Sequence, residues 1–295
     1  CSRCLLHPVI FDDIIFCIKD WMKKYNVLPY NEITKSGNIR HIYFRCSDKC
    51  KDIMVCIVSA KRNIPFKSEL LSILVEKFKN IKSIILNYNP ENTNVVLGKT
   101  FETLWGSDTI IDTLCGMKFE ISPESFYQIN HNQTQLLYNL AKEMLNFKGD
   151  EVLLDLYCGI GTIGLTMSDS VKSVIGAEII EKAVENACKN SELNEVKNSR
   201  FICADSAKAV KEFKKEKLDV IIVDPPRKGC SESVLEDLIK INPKKILYIS
   251  CNPATLAKDL KKLCPEKYQI SRVCPVDLFP RTKHVETAVL LERTY

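Results

Sequence analysis

Cys251 is the residue of this chain best placed for covalent chemistry. It lies in Ser250-Cys-Asn-Pro253, after an apolar run, and Asn252 followed by Pro253 makes a helix start, with a capping side chain and then a residue lacking an amide hydrogen. A thiol just ahead of a helix N-terminus is expected to have a lowered pKa and to serve as a nucleophile. Most cysteines in a chain with fourteen of them are core filler. Cys251 differs because it falls at the carboxyl end of an expected strand. A base is also needed, and Asp277-Leu-Phe-Pro-Arg-Thr-Lys-His-Val-Glu286 offers two, His284 and Glu286, which as residues i and i+2 of a strand would share a face. A lone histidine is more often structural, so Glu286 is the preferred general base.

A second group of residues points to a nucleotide-type cofactor. Asp155-Leu-Tyr-Cys-Gly-Ile-Gly-Thr-Ile-Gly-Leu165 follows the apolar Val152-Leu153-Leu154 and reads as strand, glycine turn, helix. Gly159, Gly161 and Gly164 allow close approach of the backbone to a ligand. Gly159-x-Gly161-x-x-Gly164 also fits the dinucleotide fingerprint, with Glu178 lying 19 residues after Gly159 where a ribose would be held. Asp205 ends a third strand in Cys203-Ala-Asp-Ser206, and Asp224 ends a fourth in Asp224-Pro-Pro-Arg-Lys-Gly229. One acidic residue at a strand end is often only a helix cap. Three around one glycine turn define a cofactor pocket. The two prolines stiffen the loop and remove two backbone donors, which suits a wall for a flat substrate. A dehydrogenase has no evident need of that loop.

Positioning these residues requires an alternating fold. Apolar patterning predicts strands at 151–156, 172–178, 199–203, 218–223, 245–250, 268–276 and 285–292, with helices at 163–169, 180–193, 206–214, 233–241 and 253–263. Such alternation implies a mostly parallel sheet covered on both faces, with ligands at the carboxyl ends of its strands. Upstream, residues 1 to about 120 read as an α+β module: helices at 10–25 and 70–78, strands at 40–45, 53–59 and 81–88, and a hairpin over 109–121 turning at Cys115-Gly116. A helix over 134–147 leads into the α/β part. Basic residues are interleaved in the first module (Lys23, Lys24, Arg40, Arg45, Lys61, Arg62), and either a solvated surface or an RNA face would use them.

Composition bounds the rest. The chain has 295 residues, 45% hydrophobic and 27% charged, as in ordinary globular proteins. The net charge of +5 permits a polyanionic partner without requiring one. No run of about eighteen apolar residues and no signal peptide are visible, so no membrane span is expected. Scattered cysteines such as Cys17, Cys56, Cys188 and Cys203 read as reduced thiols of a cytoplasmic protein. Cys1-x-x-Cys4 and Cys46-x-x-x-Cys50 could supply metal ligands, but no matching His pair follows. The chain begins at Cys1 rather than Met, so a fragment or a processed product is expected.

Together, Phe126-Tyr-Gln-Ile-Asn130, Asp155-Leu-Tyr-Cys-Gly-x-Gly161, Asp224-Pro-Pro-Arg227, Ser250-Cys-Asn-Pro253 and His284-Val-Glu286 resemble the S-adenosylmethionine-dependent RNA (uracil-5-)-methyltransferase family, nearest its 23S ribosomal RNA branch. The resemblance covers the chain from about residue 110. It implies a Rossmann-like, seven-stranded methyltransferase domain over 123–295, preceded by a smaller α+β domain over 1–122 that faces RNA. It further implies that Gln128, Tyr157, Gly159, Thr162, Glu178, Asp205 and Asp224 bind S-adenosylmethionine. Cys251 would add to carbon 6 of uracil, and Glu286 would remove the carbon 5 proton. The partner would be RNA, with ribosomal RNA favoured, and the protein a monomer. Cys4, in Cys4-Leu-Leu-His-Pro8, resembles the last ligand of the family's iron–sulfur cluster. The family's C-x5-C-x2-C segment and its oligonucleotide-binding barrel are not in this sequence, so no cluster is expected in this chain. Two other readings compete. Amino-group methyltransferases also carry Asp-Pro-Pro, but need an aromatic where Arg227 stands and need no cysteine. An RNA-binding fragment with a vestigial site would have no reason to keep Cys251 and Glu286.

Overall fold

The computed structural model describes residues 7–213 and 216–294. The chain forms two compact units, one comprising residues up to Asp112 with Glu120–Glu124, the other Thr113–Phe119 with Ser125 onward.

In the first unit, α1 (Val9–Lys24) buries Phe11, Ile14, Ile18 and Trp21, which fall on one helical stripe. β1 (Ile39–Cys46), β2 (Ile53–Ser59), α2 (Lys67–Lys77), β3 (Ile81–Tyr88) and β4 (Thr100–Gly106) follow. The strands make one sheet in the order β1-β2-β3-β4, parallel between β2 and β3 and antiparallel at both margins. β4 has no counterpart in the apolar pattern because it is an edge strand with mostly exposed side chains, so no alternation marks it. Arg40, one of the interleaved basic residues, is not a surface charge. Its guanidinium donates to the carbonyls of Asn89, Glu91 and Thr93 and pairs with Glu32 at 2.9 Å. Asn87 and Asn89 fasten the same 90–98 loop from within.

A hairpin of β5 (Ile110–Leu114) and β6 (Met117–Ile121) carries the chain between the units, turning at Cys115 and Gly116 with both φ positive, at 50° and 82°. In the second unit come α3 (His131–Leu145), β7 (Val152–Leu156), α4 (Thr162–Met167), β8 (Ser173–Glu178), α5 (Glu181–Leu193), β9 (Ser199–Cys203), α6 (Ser206–Glu212), β10 (Val220–Val223), α7 (Glu232–Ile241), β11 (Lys245–Ser250), α8 (Pro253–Lys267), β12 (Tyr268–Val276) and β13 (Glu286–Arg293). Helix α8 outruns its expected end and carries Pro265 in its last turn.

The seven strands order as β12-β13-β11-β10-β7-β8-β9, parallel except for β13, which runs antiparallel to both its neighbours. Leu154, Ile175, Ile221, Ile246, Tyr248 and Leu291 pack into one core from successive strands. Strand order reverses between β7 and β10, and at such a switch point the connecting segments diverge and leave a crevice. Among the described residues no helix is long and apolar enough to cross a membrane.

Gly176 shows how tightly the sheet is covered. A Cβ there would lie 2.3 Å from the Phe201 ring on the neighbouring strand. Gly176→Ala is therefore expected to destabilise by about 1–3 kcal/mol through overpacking. Urea unfolding should show it as a lowered midpoint, and adding Phe201→Ala should give a loss smaller than the two single losses summed.

Candidate active site

The glycine turn after β7 is wound left-handed at three residues, Tyr157, Gly159 and Gly161, with φ of 65°, 55° and 84°. For the two glycines this is free of steric penalty, whereas Tyr157 is held there at a cost of about 1–2 kcal/mol. Side chains lock the turn. Glu178 accepts the Gly159 amide at 3.1 Å on one oxygen and the Ile179 and Ile180 amides at 2.8 and 3.1 Å on the other. Asp155, fully buried, accepts the Gly164 amide at 2.9 Å on Oδ2, while its Oδ1 has no hydrogen-bond partner among the described residues. Burial, opposed by the Gly164 bond, pushes its carboxyl up to about 7. Thr162 Oγ1 lies 3.0 Å from the buried hydroxyl of Tyr138.

The glycine turn opens onto a small cavity lined by Phe126, Gln128, Tyr157, Gly159, Thr162 and Asp224, and Asp155, Glu178 and Asp205 do not line it. The switch-point crevice and the glycine turn are therefore one place. Asp205, at the end of β9, caps α6 by accepting the Ala207 amide at 3.0 Å on Oδ1.

On the other side of the switch point, β11 and β13 pair with Ser250 opposite Thr287. Cys251 follows Ser250 and Glu286 precedes Thr287, and the Glu286 charge acts on the Cys251 thiol. The thiol is pushed up, not down as its helix-start position suggested: burial, then the charges of Glu286 and Asp224, outweigh the Arg227 guanidinium. A helix terminus supplies only a fraction of a charge, and burial beside two acidic side chains overrides it. Glu286 is 3% exposed, and burial raises its carboxyl to about 7. Asp224 is raised well above the usual range by burial, then by Glu286 and Asp155. His284 does not share a strand face with Glu286. β13 begins at Glu286, and His284 lies in the preceding loop with its ring edge-on to Phe279 at 6.4 Å.

The structure adds contacts that motif reading did not give. Asn252 caps α8 through the Ala254 amide and also donates to the Arg227 carbonyl at 3.1 Å, as does Thr255 at 3.2 Å. Asp259, 2% exposed, accepts the Tyr248 hydroxyl at 2.6 Å and the Cys230 amide at 2.8 Å. The Cys230 thiol in turn exchanges hydrogen bonds with Tyr248 and Tyr157. Asn130 caps α3 through the Gln133 amide and donates to the Leu278 carbonyl at 3.2 Å, tying the Gln128 segment to the loop that leads to Glu286. The spacing of 252, 255 and 259 is one helical face and was readable in the sequence. What it faces was not. Cys1 and Cys4 lie outside the described residues. Among the described residues no three His, Cys, Asp or Glu side chains group as a metal site, and the free Cys46 and Cys50 thiols share a hydrogen bond.

A sheet of this order, with a glycine turn at its switch point and acidic residues at successive strand ends, defines the Rossmann-like methyltransferase class. The chain belongs to the tRNA (Uracil-5-)-methyltransferase family, whose model matches residues 115–294. It is 46% identical over 292 residues to an RNA methyltransferase of Clostridium tetani and 41% identical to one of Listeria innocua, covering 98% of this chain and 64% of each relative. The chain thus spans slightly less than two thirds of those relatives. The structure of Pyrococcus abyssi tRNA (uracil-54, C5)-methyltransferase in complex with S-adenosyl-L-homocysteine superposes with a TM-score of 0.84 at 29% identity, over 99% of this chain and 69% of that one. The M. jannaschii tRNA m1G37 methyltransferase, at 14% identity and a TM-score of 0.54, shares the fold over 86% of this chain and 76% of its own.

The raised Glu286 carboxyl has a measurable sign. Its pKa rises from 4.5 to about 7 on folding, so the fold favours the protonated form. The penalty for ionising it is absent below pH 4.5, grows as pH rises to about 7 and is full above that. Glu286→Gln removes the penalty. The melting temperature of the variant should match the parent at pH 4.5, exceed it increasingly up to about pH 7, and keep a constant margin at higher pH.

Proposed function

We propose that this chain is the catalytic part of an RNA (uracil-5-)-methyltransferase, which places a methyl group on carbon 5 of a uridine. The observation that carries the reading is the nearness of Cys251, which follows β11, to Glu286, the first residue of β13, with the Asp224 charge acting on the same thiol. When bound, S-adenosylmethionine supplies an electrophilic methyl group on a sulfonium centre. The residues present fit such a group: a cavity at the glycine turn with Asp224 in its lining, and a buried Asp155 oxygen without a hydrogen-bond partner among the described residues. Gln128, Tyr157, Gly159, Thr162, Glu178, Asp205 and Asp224 would hold it.

The chain's own residues then divide the work. Carbon 5 of uracil is a poor nucleophile. Addition of the Cys251 sulfur to carbon 6 pushes the ring electrons toward the carbon 4 oxygen and makes carbon 5 an enolate carbon. The thiol has to lose its proton first, and the neighbouring carboxylates make that harder in the absence of substrate. After carbon 5 carries its methyl group, the Glu286 carboxylate takes the remaining proton from it. The electron pair re-forms the C5–C6 double bond and expels the sulfur as thiolate. A carboxyl raised to about 7 is a stronger base than an ordinary one, and at neutral pH a substantial share is ionised. The target base has to leave any stack to reach this site. We propose ribosomal RNA as the polymer, on the motif resemblance, and residues 1–122 as the part facing it.

The experiment is incubation with S-adenosylmethionine and RNA carrying 5-fluorouridine, ribosomal fragment and transfer RNA side by side. Fluorine replaces the proton that Glu286 removes, so the enzyme should stall as a denaturant-resistant adduct with the correct RNA. Cys251→Ser should abolish the adduct, and Cys251→Ala should lower turnover on normal RNA by about 10³-fold or more. An adduct that survives Cys251→Ser would refute the assignment of the nucleophile.

A further inference from the structure

The loop between β10 and α7 carries Asp224 at its start and reaches Cys230 at its end, and helix α8 grips it at two points. Asn252 and Thr255 both donate to the Arg227 carbonyl, at 3.1 and 3.2 Å. Four residues further along the same helical face, Asp259 accepts the Cys230 amide at 2.8 Å. The Asp259 oxygen that does so, Oδ2, also accepts the Tyr248 hydroxyl at 2.6 Å, and Tyr248 pairs with Val223, the residue before Asp224. Gly229 makes room for the grip, since a Cβ there would come within 2.7 Å of that same oxygen, and its φ of +78° lets the loop fold over on the Pro226 carbonyl. Asp259 is 2% exposed and does not line the cavity.

We propose that Asp259 is a positioning residue for the reaction, setting the Asp224 loop at a fixed distance from the nucleophile. The physical case is that Cys251 directly precedes Asn252, the cap of α8. One rigid helix therefore holds the nucleophile at its tip and the substrate-facing loop along its side. A carboxylate accepting two donors on one oxygen, buried, is strong and directional, and its removal leaves the Cys230 amide and the Tyr248 hydroxyl without an acceptor. The strands fix where the loop starts. Asp259 fixes where it ends. Misplacement of reacting groups by about 1 Å is worth about 10²-fold in rate.

This inference rests on the uracil-5 methylation reading. The test measures single-turnover adduct formation with 5-fluorouridine RNA, at saturating RNA and S-adenosylmethionine, in the full-length protein, with the folded fraction of each variant measured separately. Asp259→Ala should slow the step about 30–100-fold per folded molecule. Asp259→Asn, whose amide oxygen can still accept both donors, should stay within about fivefold of the parent. Tyr248→Phe, which deletes one donor and no volume of consequence, should slow it less than Asp259→Ala, and it serves if that variant fails to fold. Parental rates in Asp259→Ala per folded molecule would overturn the proposal, as would an Asn variant as slow as the Ala variant. Should Asp259→Ala not fold, parental rates in Tyr248→Phe would overturn it. Absence of an adduct in the parent would instead overturn the methylation reading, and this inference with it.

Discussion

The antiparallel placement of β13 is the constraint on which the site depends. In a parallel sheet all the carboxyl ends share one edge, so a residue at a strand's start would ordinarily lie at the opposite edge. β13 is inserted between β12 and β11 in reverse, and its first residue, Glu286, therefore arrives at the ligand edge. Only this reversal sets a carboxylate from the far end of the chain beside the cysteine that follows β11. The register decides the rest: with Ser250 opposite Thr287, a slip of one residue would turn Glu286 to the other face of the sheet.

Burial then gives the gathered groups their chemical character. Asp155, Asp224 and Glu286 all have carboxyls raised by desolvation first, and Asp224 is raised further by the other two. Like charges in one low-dielectric place cannot all ionise freely. The same field raises the Cys251 thiol above its ordinary value, so reactivity is not stored in a standing thiolate. A cationic ligand in the neighbouring cavity would relieve the crowding of negative charge.

The two sides are joined mechanically as well. Tyr157, strained in the glycine turn, meets the Cys230 thiol, Cys230 meets Tyr248, and Tyr248 meets Asp259 in α8. On another path, Asn130 ties the segment bearing Gln128 to the loop before Glu286. The scaffold is thus a sheet whose strand ends bring the groups near one another, with buried polar bonds that remove the remaining freedom.

The sequence by itself determined the order of strands and helices from 151 onward and the glycine turn, and it placed Cys251, Glu286 and the acidic residues at the ends of strands. Each of these is a local signal: apolar periodicity, the φ freedom of glycine, a capping asparagine before proline. β4 escaped because an exposed edge strand carries no alternation, and the far end of α8 escaped because proline in a last turn mimics a stop. Tertiary structure alone decided that β13 runs backwards, that the Cys251 thiol is raised, that Arg40 serves a loop and that Asp259 serves the Asp224 loop. These outcomes depend on which distant residues come within a few ångströms. Spacing along a chain does not encode that distance, because pairing and burial settle it only once the sheet has formed.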